Sequence, residues 1–186
     1  MYTIYITIKY EGSVNLKLIK NIIKDWIAPL VIACLLAVLI NKFFIFKIKV
    51  PTGSMIPAIQ VNDQIFTLRI HNLNNLKRGN IIVFYSDELH LRLVKRLIGL
   101  PGEKVDLKDG GILYINEKKV NEPYVLNKDN MNKSFIVPKG HYLFLGDNRP
   151  HSDDARDWKD PYIPANKLEG RAVLRFYPFN KMGMLK

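Results

Sequence analysis

The chain has 186 residues, of which 48% are hydrophobic and 24% are charged, which suits one ordinary globular domain with a short appendage. Its formal net charge of +11 would suit nucleic acid or an anionic membrane, but the basic residues are spread among acidic ones, without a zinc-finger spacing or the aromatic strand pattern of an RNA-binding sheet. We therefore expect membrane lipid rather than nucleic acid as a partner, and the single cysteine, Cys34, excludes a disulfide framework and a thiolate metal site.

The N-terminal part divides into a tail, residues 1–25, and an apolar segment, residues 26–46. The tail contains a strand-like stretch, residues 2–8, to which no role can be assigned. The apolar segment has no charge from Trp26 to Ile40 and resumes after Lys42 with residues 43–46. Its length suits a helix that crosses a bilayer core of roughly 30 Å, and Pro29 near its start is tolerated.

Two other interpretations of the apolar segment are less favoured. A cleaved signal peptide needs small residues at the end of the apolar run, where Ile40 and Lys42 stand instead. Residues 31–34 fit a lipobox-like pattern that ends in Cys34, but further apolar residues follow it rather than a polar tether. We therefore predict an uncleaved, single-span transmembrane helix.

A short loop, residues 51–58, opens the region that follows. Pro51 and Pro57 flank it, Gly53 lies inside it, and together they disfavour a helix. The pattern predicts that Ser54 lies on an extended, exposed loop. A serine hydroxyl needs a base before it can act as a nucleophile, and none of the four histidines has a recognisable triad context.

Lys95 is the better candidate for that base. If residues 91–97 form a strand, the period of two puts Lys95 on one face with Leu91, Leu93 and Leu97. An apolar environment disfavours the ammonium form and lowers a lysine pKa. Ser54 and Lys95 together therefore suggest a serine/lysine dyad, although a Gly-Ser loop is usually structural and a strand lysine usually reaches solvent.

Short β-like stretches separated by turns make up the rest of the chain, so we predict a mostly β domain over residues 47–186. These stretches are residues 64–70, 80–85, 89–99, 104–107, 112–115, 134–137, 141–145 and 172–177.

The polar loop of residues 146–158 follows the predicted strand of residues 141–145. Such a run is most often a surface loop with ion pairs, and it lacks the alternating carboxylates of a calcium loop. It can also serve as a buttress, in which Ser152 hydrogen-bonds a neutral amine and Asp154 with Arg156 fixes the loop.

Four blocks in this order resemble the type I signal peptidases: TGSMIP (residues 52–57), RGNIIVF (78–84), VKRLIGLPGE (94–103) and GDNR (146–149) with Ser152, Asp154 and Arg156. The resemblance extends from the apolar segment to Pro178. It implies a signal-peptidase-like β domain behind a single N-terminal transmembrane helix, which cleaves signal peptides from exported preproteins at Ala-x-Ala sites without a cofactor or a metal.

The resemblance also implies roles for individual residues. Ser54 matches the nucleophile and Lys95 the general base, Ser152 matches the residue that orients the lysine, and Asp154 with Arg156 matches a supporting ion pair. Thr52 and the Ser54 backbone N–H match the oxyanion hole. The family has an apolar surface that rests on the membrane, so Met55 and Ile56 are expected to be exposed and to face substrate and lipid.

Several positions depart from the usual family pattern, which leaves the loop geometry and the fine substrate preference open. Asn80 stands where aspartate is common, Ala58 where threonine is common and Ala155 where serine is frequent, and Pro150 with His151 replaces a polar pair.

The resemblance implies a single-pass protein of the plasma membrane with the catalytic domain on the outer side, and a thylakoid membrane is the alternative. Two other functions stay open. One is a self-cleaving repressor-type Ser/Lys protease, which the apolar segment disfavours. The other is a non-catalytic, membrane-tethered β domain, which would not need Ser54, Lys95 and Ser152 together.

Overall fold

A computed structural model describes residues 16–185 of the chain. The strand-like stretch of residues 2–8 and most of the tail therefore lie outside the described residues. The chain divides into two units, the first of which ends at Lys42, while the second begins at Phe43.

The described part of the first unit is a helix that is apolar over most of its length. It consists of α1 (Leu16–Ile22), a π-helical segment (Ile23–Ile27) and α2 (Ala28–Phe43) in direct succession. By length and composition, Ile19–Phe43 can cross a membrane, and α2 has no buried residue. The prediction of one apolar spanning helix is thus confirmed.

The predicted bounds of that helix, residues 26–46, differ from the structure at both ends. The helix begins earlier because the apolar residues of Leu16–Ile22 recur with the helical period. It ends at Phe43 because Ile45 and Phe46 pair with the next strand, where β-branched and aromatic residues fit well.

The second unit is mostly β, as predicted. Its strands are β1 (Ile45–Lys49), β2 (Gln64–Arg69), β3 (Ile81–Ser86), β4 (Leu91–Gly99), β5 (Lys104–Lys108), β6 (Ile112–Ile115), β7 (Lys118–Lys119), β8 (Lys133–Ile136), β9 (His141–Leu145), β10 (Tyr162–Pro164), β11 (Leu168–Tyr177) and β12 (Gly183–Met184). Each of the eight predicted stretches overlaps one of these strands.

The strands form two antiparallel sheets. The larger sheet has the order β1-β2-β11-β3-β4-β9-β10, with β12 paired to β11, and the smaller sheet has the order β7-β6-β5-β8. Strand β9 pairs with β4 only from Arg96 onward, so among residues 16–185 no strand pairs with the first part of β4 on that side. The edge strand β1 likewise pairs on one side only within this part of the chain.

The main hydrophobic core contains stacked rings of Phe84 and Phe144, whose centroids are 4.4 Å apart. A smaller core lies beneath the Ser54 loop and includes Met55, which is fully buried, with Ile59 and Ile65. The expectation that Met55 faces lipid is therefore wrong, because the loop turns its side chain inward. Ile56 is half-buried.

Candidate active site

A groove of about 390 Å³ runs between the Lys47–Ser54 segment and the first part of β4. Its lining includes Thr52, Ser54 and Lys95. The fold therefore brings the predicted nucleophile, the predicted base and the predicted oxyanion residue to one surface, although Ser54 and Lys95 are 41 positions apart in the sequence.

The loop that carries Ser54 is folded rather than extended. Ile59 N donates to the Met55 carbonyl at 2.9 Å, and Asn148 donates to two carbonyls of the loop: its Nδ2 to Gly53 at 3.1 Å and its backbone N to Ser54 at 3.0 Å. Ser54 is 8% exposed. The expectation of an exposed serine is thus wrong, because Met55 anchors the loop in the core and Asn148 covers it.

Lys95 lies on β4 with its side chain buried, as predicted, although burial along β4 does not alternate, because Leu91 is exposed and Arg96 is buried. It is 3% exposed. Burial lowers the pKa of Lys95 to about 8, although the nearby Asp154 carboxylate opposes this shift. The Nζ atom lies 2.9 Å from Ser152 Oγ and donates to it. A large part of the Lys95 side chains is therefore neutral in weakly alkaline solution, and a neutral amine can accept a proton.

Ser152, Asp154 and Arg156 form a buried hydrogen-bonded chain behind Lys95. Ser152 Oγ donates to Asp154 Oδ2 at 2.7 Å, and Arg156 Nε donates to Asp154 Oδ1 at 2.8 Å. Burial raises the pKa of Asp154, while hydrogen bonds from the Gly146 N–H and the Ser152 hydroxyl oppose that rise. Because Ser152 gives its proton to Asp154, its lone pairs face Lys95 and fix the position of the amine.

Thr52 is exposed at the rim of the groove. Within residues 16–185, neither the Thr52 hydroxyl nor the Ser54 N–H donates a hydrogen bond to the protein. Two donors near Ser54 thus remain available for a ligand in the groove.

Sequence reasoning missed several residues that shape the site. Arg96, next to Lys95, holds Asp147 through two hydrogen bonds of 2.7 and 2.6 Å, and the side chains of both residues are 1% exposed. Gly146 lacks space for a Cβ atom, which would overlap the Ser152 hydroxyl and lie 2.6 Å from the Ser54 carbonyl oxygen. The available signal for Arg96 was its position beside a candidate base and directly before the apolar residues Leu97 and Ile98.

Among the described residues, no group of three or more His, Cys, Asp or Glu residues could hold a metal ion.

Comparisons with known proteins match nearly the whole chain. The family model described as "Signal peptidase, peptidase S26" matches residues 23–177. The chain is 38% identical over 178 residues to signal peptidase I T of Bacillus subtilis (strain 168), covering 89% of this chain and 91% of that protein. It is 35% identical over 176 residues to signal peptidase I of Bacillus licheniformis, covering 88% and 93%.

A cyanobacterial protein is also similar. The probable signal peptidase I-2 of Synechocystis sp. (strain ATCC 27184 / PCC 6803 / Kazusa) is 35% identical over 164 residues, covering 84% of this chain and 74% of that protein.

Proposed function

The chain belongs to the peptidase S26 family and is thus a signal peptidase I, a serine peptidase that cleaves signal peptides, and we propose that Ser54 and Lys95 form its catalytic dyad. The observation that carries the proposal is the buried Lys95. Lys95 lines the same groove as Ser54, and its amine has a pKa lowered to about 8 and donates a hydrogen bond to Ser152.

In the proposed acylation step, neutral Lys95 removes the Ser54 proton while the Ser54 Oγ attacks the scissile carbonyl carbon. The carbonyl oxygen then becomes an oxyanion that accepts hydrogen bonds from the Thr52 hydroxyl and the Ser54 N–H. One such donor contributes about 3 kcal/mol of transition-state stabilisation. The C–N bond breaks as protonated Lys95 gives its proton to the leaving amine.

In the proposed deacylation step, neutral Lys95 removes a proton from water as the water oxygen attacks the acyl carbon. The bond between that carbon and Ser54 Oγ then breaks, and Lys95 returns the proton to Ser54 as the carboxylic acid product leaves. Ser152 keeps the amine in place through both steps, and Asp154 with Arg156 holds Ser152. These roles require an amine that is shielded from water and held in a fixed position. The burial of Lys95 and its hydrogen bond to Ser152 support this requirement.

We propose that the substrate binds as an extended strand in the groove between β1 and β4. Both strands have free backbone there, so a peptide can pair with a strand edge while alternate side chains enter shallow pockets. Such pockets suit small residues at the first and third positions before the cut, which is the Ala-x-Ala preference. The half-buried Ile56 can contact the substrate near the nucleophile.

The helix over Ile19–Phe43 and the family together indicate a membrane-anchored protein. We propose that it spans the plasma membrane once, with the catalytic domain on the outer side, where exported preproteins emerge. A thylakoid membrane is the alternative location. The exposed apolar residues Phe179, Met182 and Met184 suit contact with membrane lipid.

The test is cleavage of a preprotein with an Ala-x-Ala site by the full chain in detergent, with the cut read by mass spectrometry. We expect cleavage after the second alanine by the unaltered protein and none by Ser54→Ala or Lys95→Ala. Lys118→Ala, which removes an exposed lysine on β7, is the matched control and should cleave normally. Full activity of Lys95→Ala near neutral pH would refute the lysine-base mechanism.

A further inference from the structure

The connection between β7 and β8, residues 120–132, contributes buried side chains to the loop of residues 146–156. Glu122 and Arg149 form its best-enclosed contact. Arg149 Nη2 donates to Glu122 Oε1 at 2.5 Å, and the side chains of both residues are 2% exposed. Asp129 and Lys133 contact Arg156 from the same part of the chain. Charged side chains thus connect the smaller sheet to the loop of residues 146–156, which we call the catalytic loop.

Arg149 occupies a central position in that loop. Its Nε donates to the Gly146 carbonyl at 3.1 Å, and its own carbonyl accepts from Arg156 Nη2 at 2.8 Å. The Gly146 N–H in turn donates to Asp154 Oδ2 at 2.8 Å, the oxygen that also accepts from Ser152. Displacement of Arg149 would therefore loosen both ends of the segment that places Ser152.

Glu122 also connects to the strand that carries Lys95. Tyr124 OH donates to Glu122 Oε1 at 3.0 Å, and the Tyr124 ring lies 4.0 Å from the Arg96 guanidinium. Arg96 is the neighbour of Lys95 on β4. The second oxygen, Glu122 Oε2, is buried without a hydrogen-bond partner among the described residues, so all contacts of the carboxylate pass through Oε1.

We propose that Glu122 is a positioning residue of the catalytic centre, which holds Arg149 so that Ser152 stays in register with Lys95. The proposal rests on the catalytic roles proposed above for Lys95 and Ser152. Glu122 itself touches no reacting atom. It acts through its ion pair with Arg149 and through Tyr124, whose ring packs on the Arg96 guanidinium.

A purely structural role makes a different prediction from a positioning role. Removal of one member of a buried ion pair destabilises a protein because the other charge is left uncompensated, whereas replacement of both members by apolar residues often leaves stability unchanged. If Glu122 only stabilises the fold, replacement of both Glu122 and Arg149 should leave activity and stability close to those of the unaltered protein. If Glu122 positions the loop, the same replacement should leave stability unchanged but lower activity.

The experiment compares Glu122→Leu/Arg149→Met with the unaltered full chain in detergent, by steady-state cleavage of a preprotein and by thermal unfolding. We expect an unchanged unfolding midpoint, an unchanged KM and a kcat lowered about 10²-fold, the size of effect that a small misplacement of a catalytic group produces. The matched control is Arg78→Met/Glu103→Leu. In the unaltered protein these two residues are joined by hydrogen bonds of 3.0 and 2.6 Å, and they make no described contact with residues 146–156. It should keep the kcat of the unaltered protein.

A kcat equal to that of the unaltered protein in the double variant would overturn the proposal. If the double variant does not fold, Glu122→Gln takes its place at a temperature well below its own unfolding midpoint, where a normal kcat would be equally decisive against the proposal. Ser54→Ala is assayed alongside. Cleavage by that variant would overturn the proposed dyad itself, whereas an inactive Ser54→Ala with a fully active Glu122 variant would overturn only the role of Glu122.

Discussion

Lys95→Met should make the protein more stable and inactive at the same time. Methionine has a similar length and fills the same space without a charge. At pH 7 the unaltered protein keeps a mostly protonated amine in a site that is 3% exposed, and this burial is unfavourable. The replacement removes that cost together with the proposed general base.

The magnitude follows from the pKa of Lys95, which burial lowers from 10.5 to about 8. Each pKa unit corresponds to 1.36 kcal/mol, so the buried ammonium destabilises the folded state by about 3 kcal/mol at pH 7. Loss of the hydrogen bond to Ser152 offsets about 1 kcal/mol of the gain. The net gain of about 2 kcal/mol should raise the unfolding midpoint by about 4 to 8 °C for a chain of this size.

The pH dependence has a definite sign. Below pH 8 Lys95 is protonated in the folded and the unfolded state, so the folded state bears the full cost. Between pH 8 and 10.5 the unfolded state binds more protons than the folded state, and the stability of the unaltered protein therefore rises with pH. The advantage of Lys95→Met should be largest below pH 8 and should be lost as the pH approaches 10.5.

The assay is thermal unfolding of the full chain in detergent at pH 7, 9 and 10.5, followed by tryptophan fluorescence, since Trp158 is buried. Lys118→Met, at an exposed position on β7, is the control and should not change the midpoint. The reasoning is refuted if Lys95→Met is no more stable than the unaltered protein at pH 7, or if its advantage is the same at pH 10.5.

Four further predictions concern the same site. The value of kcat/KM should rise about tenfold per pH unit below pH 8 and then level, because only neutral Lys95 is a base; a plateau that begins below pH 6 would contradict this. Ser152→Ala should lower kcat about 10²-fold with little change in KM, since Lys95 loses its hydrogen-bond acceptor; steady-state kinetics measure both. Gly146→Ala should lose activity and about 1 to 3 kcal/mol of stability, because the added Cβ meets Ser152 and the Ser54 carbonyl; normal cleavage and stability would show that the loop has room. Met55→Ala should cost about 2 to 5 kcal/mol in the free energy of unfolding, whereas a lipid-facing methionine would cost almost nothing; denaturant unfolding distinguishes the two.

The sequence was sufficient for the strands that carry a clear period of two. Lys95 lies on such a strand, but the alternation accounts for the strand and not for the burial, since Leu91 on the face of Lys95 is 50% exposed while Arg96 on the opposite face is 1% exposed. The strand β1 escaped prediction because its apolar residues continue those of the helix, so that composition alone cannot place the boundary. The strands β7 and β12 have two residues each, too few for any pattern.

The Ser54 loop shows where local patterns fail. Prolines and a glycine predict a loop correctly, but whether Ser54 and Met55 point outward depends on contacts with residues far away in the sequence, namely Asn148 and the small-core residue Ala172. The pairing of Glu122 with Arg149 is a similar case. A charged residue in a polar connection is usually solvated, and only the tertiary structure brings the two side chains together.

Arg96 and Asp147 form an ion pair whose side chains are each 1% exposed. The strength of this contact, which holds Asp147 in the loop of residues 146–156, should therefore depend little on the salt concentration. Dissolved ions screen exposed charges over about 8 Å at physiological salt but screen buried pairs much less. We therefore expect concentrated salt to weaken the proposed attraction of this chain, with its net charge of +11, to anionic lipid, while the loop of residues 146–156 keeps its shape. Any effect of salt on turnover would then arise from exposed cations at the groove, such as Lys47 and Lys49.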